Sequence, residues 1–215
     1  KEEKVFVAEG HKSVDELLHC FSCKLIIATS EWLSRHYDLK AQDIIEVSDD
    51  ELAKASFLKS PQEVLAIFEQ PEYKLDSSLP KNNLCLALDE VQDPGNLGTI
   101  VRVADWFGIE NIFCSLGTAD IYNPKTVQAT MGAISRVKVH YCDLPAFISS
   151  LEGVKVYGTF LDGENLYESS ISENGLIVMG NEGNGISSEI EKMVNSKLLI
   201  PNYPVGRTTS ESLNV

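Results

Sequence analysis

The feature that most constrains the fold is a regular alternation of short apolar runs with amphipathic segments of helical length. In the second part of the chain the apolar runs are LCLALDE (84–90), NIFCSLG (111–117), VKVYGTFL (154–161), LIVMG (176–180) and KLLIP (197–201). The segment GTIVRVADWFG (98–108) lies between the first two and repeats its apolar residues at helical spacing. Apolar strands that alternate with helices predict an α/β fold with a mostly parallel sheet that helices cover on both faces.

The first part of the chain repeats this alternation on a smaller scale. Its predicted strands include VFVAE (5–9), KLIIAT (24–29) and EVLAIFE (63–69). The segment SVDELLHCF predicts a helix with Ser13 as its N-cap and Glu16 completing a capping box. The segment PEYKLDSSLPKNN (71–83) is rich in proline, serine and asparagine and predicts a linker. We therefore expect a small α/β domain over residues 1–70, a linker over 71–83 and a larger α/β domain over 84–215.

The composition of the 215 residues is typical of a globular protein, with 43% hydrophobic and 23% charged residues. No apolar run approaches the roughly 20 residues that span a bilayer, and no secretory signal opens the sequence, so we expect a cytoplasmic protein without a membrane partner.

The five cysteines do not indicate disulfides in such a compartment. Cys20 and Cys23 have metal-binding spacing beside His19, but a second ligand pair is lacking, so we predict no metal. The net charge of −14 weighs against nucleic acid, which binds Lys and Arg.

One candidate functional segment is the loop and helix after the strand at 84–90, DEVQDPGNLGTIVRVADWFGI (89–109). Pro94 and Gly95 predict a turn, and Gly98 allows the backbone to approach a neighbour closely. Asn96 would lie in the loop and Arg102 about one turn into the helix, whose unpaired N–H groups suit an anion. The alternative interpretation is structural: Asn96 caps the helix and Arg102 forms a surface ion pair.

A second candidate is the glycine-rich segment GNEGNGIS (180–187), which directly follows an apolar run. Its glycines have the order G-x-x-G-x-G rather than the G-x-G-x-x-G of dinucleotide-binding loops, and it lacks the Gly-Lys-Ser or Gly-Lys-Thr of phosphate loops. Glu182 would also repel a phosphate. A loop with backbone amides and one carboxylate instead suits S-adenosylmethionine, which carries a sulfonium and no phosphate. The alternative is a tight turn without a ligand.

The third candidate is the end of the sequence, LLIPNYPVGRTTSESLNV (198–215). A predicted strand ends at Pro201, and a polar loop follows it. Spacing alone does not distinguish a catalytic loop from a tail. Because the sequence stops where an apolar segment begins at Leu213, we expect that a core helix is missing from it.

In this order, the stretches DPGNLGTIVRVADWFGI, IVMGNEGNGIS and IPNYPVGRTTSESLNV resemble the SpoU/TrmH family of RNA ribose 2′-O-methyltransferases, within the SPOUT superfamily. The resemblance spans residues 84–215. The stretch VFVAEGHKSVDELL is similar to the small ribosomal-protein-like domain that binds the RNA substrate ahead of this catalytic domain. The family implies a C-terminal trefoil knot, a homodimer, and S-adenosylmethionine as the methyl donor for a ribose 2′-hydroxyl in rRNA or tRNA.

The resemblance also implies which residues form the site. The catalytic set is Asn96, Arg102, Glu182, Ser212 and Asn214. The cofactor would rest on Thr159, Phe160, Leu161, Gly180, Asn181, Glu182, Gly183, Ile200, Pro201, Ser212 and Leu213. Because a guanidinium stays protonated near neutral pH, Arg102 would fix the adjacent RNA phosphate and stabilise charge on the 2′ oxygen, reaching the cofactor of the other subunit. Asn96 and Asn214 would hold the loops and the ribose. Glu182 would order the cofactor loop, and Ser212 would position the substrate.

Two departures from the family pattern bear on these expectations. The third motif carries a longer loop, NYPVGRTTSE, and the helix that follows SLNV in the family is absent from the sequence, which puts the knot and the dimer in question. One alternative is a non-catalytic RNA-binding or assembly protein that keeps the fold. The acidic charge favours it, and the intact set of Asn96, Arg102, Glu182 and Asn214 disfavours it. A nucleotide-dependent oxidoreductase is disfavoured by the missing G-x-G-x-x-G.

Overall fold

The computed structural model describes residues 3–203, which form two sheets with helices packed against them. The strands of the first sheet are β1 (Val5–Glu9), β2 (Cys23–Ala28), β3 (Ala41–Glu46) and β4 (Val64–Glu69). They lie in the order β1-β4-β2-β3, in which β2 and β3 are parallel and the other pairs are antiparallel. The helices among them are α1 (His11–Leu17), α2 (Ser30–Ser34) and α3 (Asp49–Ala55).

The second sheet has six strands, and every neighbouring pair in it is parallel. Its strands are β5 (Leu84–Leu88), β6 (Asn111–Ser115), β7 (Lys138–Cys142), β8 (Val156–Asn165), β9 (Gly175–Met179) and β10 (Ser196–Leu199). Its helices are α4 (Leu79–Asn82), α5 (Pro94–Trp106), α6 (Pro124–Thr130), α7 (Leu144–Ser149) and α8 (Ser188–Glu191). The spatial order is β10-β8-β9-β5-β6-β7. The predicted α/β class with a mostly parallel sheet is confirmed.

The six-stranded sheet is buried on both faces, as its continuously apolar strands predict. Successive side chains of a strand point to opposite faces. On β5, Leu86 and Leu88 belong to one apolar cluster, and Cys85 and Ala87 belong to the other. The sheet is therefore a central layer, and both of its faces contribute to burying apolar surface.

The first of these clusters continues into the four-stranded sheet. Phe6 on β1 packs against Tyr122, with their ring centroids 5.1 Å apart. Helices α5 and α6 also approach each other closely at Gly98, where an added Cβ would lie 2.5 Å from the Cβ of Ala129 and 2.6 Å from the carbonyl oxygen of Thr126. The close approach that Gly98 allows is thus to helix α6. One continuous core holds the two sheets together.

The predicted capping box at Ser13 and Glu16 is wrong. Helix α1 begins directly after Gly10, whose φ of 88° turns the chain into the helix earlier, so Ser13 lies inside it. The same sequence pattern does form a capping box at α3. There the Ser48 N–H donates to Glu51 Oε2 at 2.9 Å, and the Glu51 N–H donates to Ser48 Oγ at 3.4 Å. The segment predicted as a linker contains the short helix α4.

Candidate active site

The candidate segments converge at the carboxyl edge of the six-stranded sheet. Strand β9 lies between β5 and β8, and its last residue, Met179, pairs with Leu88, the last residue of β5. The loop that follows β5 and the glycine-rich loop that follows β9 therefore start side by side. Ligands of open parallel sheets bind outside this edge.

The glycine-rich loop closes on itself. The backbones of Asn181 and Gly185 exchange two hydrogen bonds, of 3.0 Å and 2.9 Å. Gly180 is buried where the two arms meet, and an added Cβ there would lie 2.1 Å from the carbonyl carbon of Gly185. The side-chain oxygen of Asn181 accepts from the N–H groups of Gly183 and Asn184 at 2.9 Å and 3.0 Å. These two amides are thus already hydrogen-bonded within the loop.

Two polar contacts fasten the closed loop to the segment after β5. The Asn181 side chain donates to the carbonyl oxygen of Glu90 at 2.8 Å, across 91 positions of sequence. The Ser187 N–H donates to Asp89 Oδ2 at 2.7 Å. Asp89 is only 4% exposed. Sequence reasoning missed Asp89, although an acidic residue directly after a buried strand is a recognisable signal.

The structure brings Asn96 and Glu182 together. The Asn96 side-chain amide donates to Glu182 Oε1 at 2.9 Å. Asn96 is neither in the loop nor the helix cap, because α5 begins at Pro94 and its N-cap is Asp93, which accepts from the Asn96 N–H at 2.9 Å. A hydrogen bond from Lys125 is the largest of the effects that hold the pKa of Asp93 below its usual value. The cap therefore stays charged, and the first turn of α5 is fixed against the glycine-rich loop.

Arg102 lies on the same helix but is not part of this contact. Six residues of α-helix separate it from Asn96, a rise of about 9 Å. Its guanidinium is exposed and donates to the sulfur of Met131 at 3.1 Å. Within residues 3–203 the Arg102 guanidinium forms no ion pair, so the surface ion pair of the alternative interpretation is not found there. On the same surface, Val103 and Trp106 of α5 and Phe107, which directly follows the helix, have exposures of 49%, 85% and 74%.

Residues 159–163 of β8 bulge from the sheet beside this edge. On the neighbouring strand β10, Lys197 pairs with Gly158, whereas the next residue, Leu198, pairs with Glu164. Thr159 remains close to β9, since its hydroxyl donates to the carbonyl oxygen of Val178 at 3.4 Å. Phe160 is half-buried beneath the Lys197 ammonium, which lies 4.5 Å from the ring centroid. Leu161 lies in the exposed part of the bulge.

The third candidate segment is only partly described. Ile200 and Pro201 directly follow β10, at the same carboxyl edge of the sheet. Ser212, Leu213 and Asn214, three residues of the sequence-predicted site, lie outside the described residues.

The chemistry of the described segments fits S-adenosylmethionine. Residues 159–163 and 180–187 include Asp162 and Glu182 but neither lysine nor arginine. Carboxylates and strand-end carbonyl groups attract a sulfonium and repel a phosphate. Leu161 and Ile200, with exposures of 75% and 41%, offer apolar surface to a purine. The nearby Lys197 ammonium is bonded to Asp162 and to a glutamate of α8.

Residues 3–203 contain no cluster of three or more histidine, cysteine, aspartate or glutamate side chains arranged to hold a metal ion. Cys20 is exposed, whereas Cys23 is buried, and its burial raises the pKa of its thiol to about 11. A membrane-spanning helix is likewise not found among the described elements.

Comparison with known proteins places this geometry among RNA methylases. The family model of the SpoU rRNA methylases matches residues 83–215, and that of an MRM3-like substrate-binding domain matches residues 1–66. The 23S rRNA (guanosine(2553)-2′-O)-methyltransferase RlmP of Bacillus subtilis is 36% identical over 214 residues, which cover 98% of this chain and 83% of that protein. Mitochondrial rRNA methyltransferase 3 of Homo sapiens is 35% identical over 109 residues, 47% of this chain and 25% of that protein.

Solved structures give the same result. A TrmH-family protein from Porphyromonas gingivalis has a TM-score of 0.84 and 37% identity, with 100% of this chain and 86% of that chain covered. An AdoMet-bound rRNA methyltransferase from Sinorhizobium meliloti has a TM-score of 0.81 and 29% identity, with 99% and 83% covered.

Proposed function

Because the chain belongs to the SpoU rRNA methylase family, we propose that it methylates a ribose 2′-hydroxyl of ribosomal RNA. It is an RNA methyltransferase, and its cofactor is S-adenosylmethionine. The observation that carries the proposal is the hydrogen bond between Asn96 and Glu182, which joins the first turn of helix α5 to the glycine-rich loop at the carboxyl edge of the sheet.

The cofactor site that we propose is formed by three segments at this edge. They contribute Thr159, Phe160 and Leu161; Gly180, Asn181, Glu182 and Gly183; and Ile200, Pro201, Ser212 and Leu213. S-adenosylmethionine supplies an electrophilic methyl group on its sulfonium. Since Asn181 already engages the Gly183 and Asn184 amides, the glycine-rich loop contributes carbonyl groups and the Glu182 carboxylate. The bond from Asn96 orients that carboxylate.

Arg102 acts, in this proposal, on the cofactor site of a second subunit. Its position about 9 Å along α5 from Asn96 supports action across a homodimer interface. The exposed Val103, Trp106 and Phe107 beside it support the same interface, because neighbouring exposed apolar side chains are typical of protein contacts. A protonated guanidinium binds the RNA phosphate and stabilises the negative charge that develops on the 2′ oxygen, and the phosphate accepts the proton. Ser212 and Asn214 position the substrate and the ribose.

The remaining parts of the proposal concern architecture. We assign residues 1–70 to RNA binding, residues 71–83 to a linker and residues 84–215 to the catalytic domain with a C-terminal trefoil knot. The match to a substrate-binding domain over residues 1–66 supports the first assignment, and the match over 83–215 supports the third. The location that we propose for the protein is the cytoplasm, and its similarity to a 23S rRNA methyltransferase of Bacillus subtilis supports this location.

The test is the substitution Arg102→Ala, with Lys138→Ala as a surface-cation control. Transfer of labelled methyl groups to an unmodified 23S rRNA transcript and calorimetric binding of S-adenosylhomocysteine are measured for both. Arg102→Ala should bind the cofactor product normally and lose about 100- to 1,000-fold in turnover, as expected when a charge-stabilising donor is removed. Lys138→Ala should match the wild type. Near-normal turnover in Arg102→Ala contradicts its assignment, and cofactor binding without any turnover by the wild type favours the non-catalytic alternative.

Mixing subunits tests action across the interface. Random dimers of Arg102→Ala and Glu182→Ala subunits should regain about a quarter of the wild-type activity, because half of the dimers contain one site with both intact side chains. If Arg102 serves its own subunit, mixing restores nothing.

A further inference from the structure

A groove of about 540 Å³ lies between the four-stranded sheet and the starts of helices α5 and α6. Val7, Phe57 and Leu58 line one side of it. Gly95 and Lys125 lie on the other side. Its volume is within the range of sites that hold small molecules, about 300–1,000 Å³. None of these residues is used in the proposed cofactor site.

Phe57 is an exposed aromatic residue on a fixed support. Its side chain is 68% exposed, whereas the Glu9 carboxylate behind its loop belongs to a residue only 7% exposed. The Phe57 N–H donates to Glu9 Oε1 at 2.9 Å, and the Ser56 hydroxyl donates to Glu9 Oε2. The Leu58 N–H in turn donates to Ser56 Oγ at 3.0 Å. A buried carboxylate is costly unless hydrogen bonds satisfy it, and here both of its oxygens hold the loop that presents the ring.

The opposite side of the groove includes a residue that is adjacent in sequence to the proposed active site. Gly95 directly precedes Asn96, whose amide contacts Glu182. The Lys125 ammonium donates to Asp93 Oδ2 at 2.9 Å, which ties the start of α6 to the cap of α5. An ammonium has three donors, so this bond leaves Lys125 able to contact a second acceptor. An aromatic face and a cation thus lie on the two sides of a groove whose lining includes Gly95, the residue before Asn96.

We propose that this groove holds an unpaired nucleotide of the substrate RNA next to the methylated one, with its base stacked on Phe57 and its phosphate beside Lys125. The inference rests on the proposed function. Aromatic side chains bind unpaired bases of any sequence, because every base has a π face, and a lysine contributes salt-dependent phosphate binding. The pairing of an exposed ring with an ammonium, and the position of Gly95 next to Asn96, favour RNA over a protein partner as the occupant.

The experiment compares Phe57→Ala, Phe57→Trp and Lys125→Gln in the full chain, with Tyr37→Ala as the matched control. Tyr37 is 88% exposed in the same part of the chain but does not line the groove. A fluorescently labelled, unmodified 23S rRNA transcript serves as the probe. Its Kd is measured over a range of salt concentrations, together with KM and kcat for methyl transfer and the Kd of S-adenosylhomocysteine.

Phe57→Ala should raise the RNA Kd and KM about tenfold, with kcat, S-adenosylhomocysteine binding and the salt slope unchanged. Phe57→Trp should stay within about twofold of the wild type, because it keeps a stacking surface. Lys125→Gln should lower the slope of log K against log salt by about one. Tyr37→Ala should match the wild type.

Unchanged Kd and KM in Phe57→Ala overturn the proposal, as they would if the groove bound a protein. An equal loss in Phe57→Trp or Tyr37→Ala also overturns it. The RNA Kd distinguishes this result from failure of the proposed function. If the wild type binds the transcript through Phe57 but does not methylate it, the proposal for the groove stands and the proposed activity fails.

Discussion

The substitution Gly180→Ala tests whether the glycine-rich loop depends on contact between its own backbone arms. An added Cβ would lie 2.1 Å from the Gly185 carbonyl carbon and 2.2 Å from the Ile186 nitrogen. Ordinary contacts of a Cβ begin at 3.4 Å. Because both neighbours are backbone atoms, no side chain can rotate away, and the two arms must separate by roughly 1 Å.

This separation breaks the two backbone hydrogen bonds between Asn181 and Gly185, of 3.0 Å and 2.9 Å. Each such bond contributes about 1 kcal/mol net, and overpacking costs about 1–3 kcal/mol in addition. The free energy of unfolding should therefore fall by about 3 kcal/mol, if part of the strain is relieved when the bonds break. For a chain of this size, that loss corresponds to a Tm lower by about 6–12 °C.

The assay is thermal unfolding followed by circular dichroism, without ligand, with Gly183→Ala as the control in the same loop. Within the described part of the chain, a Cβ at Gly183 would have a single neighbour closer than 4 Å, the Asn181 side-chain oxygen at 3.5 Å. Gly183→Ala should thus shift the Tm by less than about 2 °C. The reasoning is refuted if Gly180→Ala melts within about 2 °C of the wild type, which is the difference that the assay resolves. It is also refuted if the two variants lower the Tm equally.

Three further outcomes follow from other contacts. A double-mutant cycle of Asn96→Ala and Glu182→Ala should give a coupling of about 1 kcal/mol in S-adenosylhomocysteine binding, and additive losses would contradict a direct bond. Arg136→Ala, which removes the pair with Glu16 and the two bonds to helix α5, should lower the Tm by about 2–4 °C, and less at high salt. Burial lowers the pKa of His140 below 6.5, so the neutral imidazole contributes stability above that pH and the contribution is lost as the pH falls. In urea unfolding at a series of pH values, His140→Gln should therefore lose less of its free energy of unfolding on the acid side than the wild type does. An unchanged pH dependence excludes His140 as the cause of the loss of stability in acid.

The strands could be predicted from the sequence because burial on both faces demands continuous apolar runs. The runs at 84–90 and 176–180 contain β5 and, apart from its first residue, β9. Their adjacency could not be predicted by pattern, since the intervening β6, β7 and β8 lie elsewhere in the sheet. The contact between Asn96 and Glu182 depends on that adjacency. Only the resemblance to a family indicated that these residues act together.

Local patterns failed where tertiary structure had the larger effect. The capping motif at Ser13 and Glu16 is as good by sequence as the one at Ser48 and Glu51, yet only the second forms a box. At the first, Gly10 adopts a positive φ and the chain enters the helix three positions earlier than expected. Glu16 is instead engaged by Arg136, a contact that no local pattern contains.

The net charge of −14 was a misleading indicator, because an RNA methyltransferase needs cations only where RNA is bound. Several cations are neutralised by carboxylates, as Arg136 is by Glu16 and Asp105. Arg102 differs: within residues 3–203 no carboxylate pairs with it, and its partner is the weak sulfur acceptor of Met131. A phosphate is a much stronger acceptor than a thioether, so RNA would displace this contact at little cost. Whether this chain can bind RNA therefore depends on the local surroundings of individual cations, which the net charge does not describe.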